Sequence, residues 1–81
     1  MKAVKQTEAV RHIKRLLMER RLDLPTRTHE QWIIFEHKGK ELGIDSSSGV
    51  WVRSSKADEW QCFASPLTVS GAIQAVEFLA T

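Results

Sequence analysis

Tyrosine is absent from this 81-residue chain, cysteine occurs once, proline twice and glycine four times. Each shortage excludes something. A single thiol, Cys62, cannot close an internal disulfide, which rules out a disulfide-stapled secreted scaffold and makes a reducing compartment, the cytoplasm, the expected location. The glycines fall singly, mostly at turns, and build no phosphate-cradling loop. Long apolar runs are missing too. The longest is Trp32-Ile33-Ile34-Phe35, against the roughly 20 residues that a membrane span needs, so no membrane partner is expected. The first residues are basic, but charge recurs at Arg11, Lys14 and Arg15, and no apolar leader is expected to follow.

What is present is ordinary globular composition, 42% hydrophobic and 27% charged, enough for one small domain over residues 1–81 with one compact core. The net charge of +2 conceals an asymmetry. Residues 1–28 hold eight Lys/Arg and three Asp/Glu, whereas residues 29–81 hold four and seven. The basic end is therefore one segment, the kind of charge division that suits a polyanionic or acidic partner.

Residues 7–22 predict an amphipathic helix. Thr7 is the expected cap and Glu8 suits the first turn. Ala9, Val10, Ile13, Leu16 and Leu17 repeat at three- and four-residue spacing. Arg20 and Arg21 are expected in the last turn, and Pro25 stops the helix by disfavouring helical geometry at Leu24. Residues 24–28 show no periodicity and read as a connector. From His29 onward the period becomes two. Residues 31–37 predict a strand with Ile33 and Phe35 on one face and Trp32 and Ile34 on the other, followed by a turn at Lys38-Gly39. Residues 41–45 predict a second strand, Ser46 to Gly49 a turn, and residues 50–53 a short strand. A last strand carries Trp60, Cys62 and Phe63. Short connections between consecutive strands imply an antiparallel meander. Ser65-Pro66 is the expected start of a closing helix, with Thr68 and Ser70 as competing caps, and Val69, Ile73, Val76 and Leu79 make its apolar stripe. The fold class is α+β, ordered α–β–β–β(–β)–α, with three or four strands.

Three groups of residues bear on function. The first is the basic helix, where Arg11, Lys14, Arg15 and Arg21, with Lys2, Lys5 and His12 nearby, form a surface able to neutralise phosphates. The bland counterpart is a solvated face that keeps the chain soluble. The second is Trp32, Trp51 and Trp60. Bulky core is the ordinary role for tryptophan on a small sheet. Trp51 is the one expected to be exposed, because it shares a strand face with Arg53, and such a pair could stack bases or anchor an interface. The third is His12, His29 and His37. None has a second ligand at metal spacing, so no metal or other cofactor is expected. Cys62 alternates with Trp60 and is expected in the core, and Glu36 is expected to be partly buried.

The leading expectation is a non-enzymatic binding module that contacts nucleic-acid phosphates through Arg11, Lys14, Arg15 and Arg21, with Trp51 and Arg53 extending the footprint. The alternative is a protein-interaction module, a regulator or inhibitor of the kind carried by mobile elements, acting through its sheet or last helix on a protein partner or as a homodimer. A third reading, a ribonuclease-like toxin with His37 or His29 as general base, lacks a partner acid. No small-molecule substrate is indicated.

Overall fold

The computed structural model describes residues 5–81. Helix α1 (Gln6–Glu19) leads into five strands, β1 (Thr26–His29), β2 (Trp32–His37), β3 (Lys40–Ile44), β4 (Val50–Arg53) and β5 (Gln61–Ala64), and helix α2 (Val69–Ala80) follows. The strands form one antiparallel sheet in the order β1-β2-β3-β4-β5, an α+β meander with one strand more than the upper expectation.

The additional strand is β1, in the stretch read as a connector. All four of its residues are exposed, so it carries no apolar alternation. Its place comes from backbone pairing with β2, running from Thr26 opposite Phe35 to His29 opposite Trp32. The turn that returns it contains no glycine, since Glu30 takes the left-handed conformation at φ 57°. The β2–β3 turn was legible by contrast. Lys38 and Gly39 both have positive φ (51° and 84°), as the tightest hairpin turns require.

Alternation along the strands sends Phe35, Leu42, Ile44, Val50 and Val52 to one face of the sheet, where they join Ala9, Ile13 and Leu17 of α1 and Ala72, Ala75, Val76 and Leu79 of α2 in a single core. Both helices therefore cover the same face.

The helix ends differ from their expected positions. Lys5 holds the N-cap position of α1 with no side-chain cap, and Thr7 lies inside the helix. Gln6 ties that end to the sheet instead, its Nε2 donating to the Gln31 carbonyl at 2.7 Å and the Ile44 carbonyl at 3.1 Å. At the other end the helix stops before Arg20 and Arg21. The Leu22 amide donates to the Leu17 carbonyl and the Arg21 amide to that of Met18, both at 2.9 Å, with Arg21 at φ 58°. This is a Schellman cap, with an arginine where glycine is usual. In α2 the cap is Thr68, whose Oγ1 accepts from the Gly71 amide at 3.1 Å. Ser65-Pro66, a cis peptide, lies ahead of the helix.

Two burial expectations are corrected. Cys62 is exposed, because it pairs with Trp51 beyond a register shift at Val50/Trp51 and faces away from the helices. Phe63 turns inward in its stead and meets Phe78 edge-on at 6.3 Å. Glu36 is exposed, whereas Glu41 is fully buried.

Candidate binding faces

The sheet face turned away from the helices is built by the complementary set of side chains. Arg27, Ile34, Gly43, Trp51 and Cys62 lie across neighbouring strands in one row, and Glu36, Glu41 and Arg53 lie in the next. No helix among the described residues covers this face, yet it carries all three tryptophans. Trp32 packs against Trp51 with ring centroids 5.7 Å apart and against Trp60 at 5.2 Å. Gly43 makes that possible. A Cβ there would stand 2.7 Å from Trp32 Cε3 and 3.2 Å from Trp60 Cη2, so the absence of a side chain lets the indoles lie directly on β3. Ile34 is buried beneath them. Trp51 is accordingly half-buried rather than exposed, and its Nε1 donates to Asp45 Oδ2 at 2.8 Å. Asp45 also accepts from the Ser47 and Gly49 amides, each at 2.8 Å, so the β3–β4 turn and the tryptophan share one carboxylate.

Register places Glu36 directly across from Glu41, a like-charge pair that is unfavourable without compensation. Arg27 supplies it from β1, with Nη1 on Glu36 at 3.0 Å and Nη2 on Glu41. Arg53 Nε donates to the other Glu41 oxygen, its Nη1 reaches the Lys56 carbonyl at 3.3 Å, and its guanidinium lies 4.3 Å from the Trp60 ring centroid. Burial pushes the Glu41 carboxyl up, but the hydrogen bonds and charges of Arg27 and Arg53 outweigh it, and the group is held below the ordinary carboxylate range. The Glu41 hydrogen bond raises Arg27 above its ordinary value, against a smaller opposing effect of desolvation. Between these groups runs an open groove of about 350 Å³, lined by Arg27, His29, Glu30, Trp32, Arg53 and Trp60 over Ile34.

The second face is the outside of α1. With Ala9, Ile13 and Leu17 turned to the core, Arg11, Lys14 and Arg15 project away from the sheet, and Arg21 is exposed in the cap. Among the described residues none of these four is in an ion pair, whereas Arg20, Arg27, Arg53 and Lys56 are paired with Glu77, Glu36 or Glu41. Lys2 lies outside the described residues. Among the described residues His12 Nε2 is buried with no hydrogen-bond partner.

Six residues singled out in the sequence thus divide between two layers. Arg11, Lys14, Arg15 and Arg21 belong to the helical side, and Trp51 and Arg53 to the opposite side of the sheet. His29 lines the groove, and His37 ends β2 opposite Lys40. Glu41, Gly43, Arg27 and Asp45 gave no sign of a role, because their significance depends on cross-strand register. Among the described residues no three His, Cys, Asp or Glu side chains cluster as metal ligands, and no helix is long and apolar enough to cross a membrane. Comparison with protein-family models, curated proteins and solved structures found no match to this chain.

Proposed function

We propose that the chain is a non-enzymatic nucleic-acid-binding module that meets the phosphate backbone with the outer face of α1. The observation that supports this reading is the division of its cations. Arg11, Lys14, Arg15 and Arg21 have no carboxylate partner among the described residues, while the arginines of the sheet do. Unpaired cations spaced along one helix face release counterions when they meet phosphates, and that release drives sequence-independent binding. A titration of labelled duplex and single-stranded DNA and RNA at two salt concentrations is the test. Each phosphate contact on duplex DNA contributes about −0.9 to the log–log salt slope, and a slope worth roughly three or four contacts is expected from these side chains. Arg11/Lys14/Arg15→Ala should abolish binding with the fold intact, since all three side chains are exposed. Binding retained by that variant would sink the reading.

A protein-interaction role has one observation in its favour. Val69 and Ile73 of α2 are 66% and 41% exposed, and Ile73 borders a shallow groove with Leu16 and Val76 between the helices. Sedimentation of the purified chain separates the two: a dimer dispersed by Ile73→Asn would favour self-association, and a monomer at all concentrations would remove it.

A further inference from the structure

We propose that the groove on the uncovered sheet face is a binding site for one nucleotide, a planar ring joined to a phosphate, either free or as an unpaired unit of a strand. The inference rests on the outer face alone and stands apart from the α1 reading. Its volume of about 350 Å³ is at the small end of the range for small-molecule sites, roughly 300–1,000 Å³, so it takes a single unit rather than a folded partner. Two of its walls are aromatic: Trp32 and Trp60, tilted 50° to each other, with Ile34 as an apolar floor. Indole surfaces of this kind stack any base.

The polar complement is set by Glu41. A carboxylate with no exposed surface costs desolvation, and hydrophobic side chains in place of the whole Arg27–Glu41–Arg53 group would serve stability as well or better. What it supplies is orientation. One oxygen fixes Arg27 and the other fixes Arg53, and the Arg53 guanidinium also lies over the Trp60 ring, 4.3 Å from its centroid. Each guanidinium carries more N–H donors than these bonds use, and planar donor forks in fixed positions suit a phosphate oxygen. Glu41 is thus a positioning residue for an anion site that it does not touch. Because Glu36 and Glu41 already offset the arginine charge, binding here proceeds through hydrogen bonding and stacking and changes little with salt, unlike binding at α1.

The test follows the indole Nε1–H signals of Trp32 and Trp60 by nuclear magnetic resonance during titration with AMP, adenosine, inorganic phosphate, a short single-stranded oligonucleotide and the corresponding duplex. AMP or the single strand should shift both signals saturably and with little salt dependence. Whichever of the two acts identifies the source as free nucleotide or strand. Adenosine and phosphate should each bind at least about tenfold more weakly, the loss of one charged hydrogen bond or one stacked ring. Arg27→Gln should weaken AMP by about tenfold, Arg27→Lys by less, with the core methyl signals reporting an intact fold. Arg11/Lys14/Arg15→Ala should leave AMP binding unchanged. Signals unmoved by millimolar AMP and by the single strand would overturn the proposal. So would adenosine binding equal to AMP, or shifts lost in the α1 variant.

Discussion

A carboxylate without exposed surface must have its charge met inside the fold, and Glu41 meets it with Arg27 on one oxygen and Arg53 on the other. Its folded pKa lies below the ordinary carboxylate range, which fixes the sign of its linkage to pH. A depressed carboxyl contributes stability above its unfolded pKa and loses it as pH falls through the folded one. Glu41→Gln, which leaves two guanidinium groups without their shared anion, should cost about 3 kcal/mol at neutral pH. Urea unfolding of both proteins across pH is expected to show that gap closing only in acid below the ordinary carboxylate range. A gap that is the same at all pH values would mean that shape, rather than charge, is what glutamine lacks. Nothing local marked this residue. Glu36 and Glu41 look alike along the chain, each an acid on a strand. Their different burial is decided by Arg53, twelve positions further on, and by a strand, β1, that local periodicity did not reveal.

At the scale of elements, the legible parts were those whose signal is a repeat within the element itself. The three- and four-residue spacing from Ala9 to Leu17 identified a helix and its core face. The alternation from Trp32 to Phe35 identified a strand but, with both faces apolar, not the face that meets the helices, and Lys38-Gly39 identified a hairpin. What escaped has its signal elsewhere. Strand β1 has four exposed residues and is held by the backbone of β2. The start of α1 is held by Gln6 reaching two carbonyls of the sheet. Its end is an arginine in a conformation that favours glycine. That last feature yields a prediction of unusual sign. A left-handed non-glycine residue costs roughly 1–2 kcal/mol, so Arg21→Gly should stabilise the chain, by about 0.5 kcal/mol once the added freedom of the unfolded state is counted. Thermal unfolding checks it, and a lower midpoint would show that the Arg21 side chain contributes contacts of its own.

At the scale of the whole molecule, two layers divide the chemistry. On the outside of the helical layer Arg11, Lys14, Arg15 and Arg21 carry charge with no ion-pair partner among the described residues. The outside of the sheet carries aromatic surface and charge already balanced. The tryptophan and arginine of β4 and the cations of α1 lie on opposite sides of the sheet and form no single flat surface, and the two faces should respond to salt in different ways. The tryptophan face was only half legible: the pairing of Trp51 with Arg53 on one side of β4 followed from alternation, while the gathering of Trp32 and Trp60 over Gly43 required the full sheet.

The order of elements has a consequence in time. Every strand pairs with its neighbour in sequence, so a growing chain can assemble the sheet one hairpin at a time, each closing a short loop. Helix α2 comes after all five strands, and it supplies Ala72, Ala75, Val76 and Leu79 to the core. Until those residues emerge, the side of the sheet bearing Val50 and Val52 has only α1 against it. A chain halted before Val69 should therefore bind a hydrophobic dye and aggregate, whereas the chain through Thr81 should do neither. During that interval the aliphatic side of the sheet is only half covered, and exposed apolar surface of that kind is what a chaperone recognises on an unfinished chain.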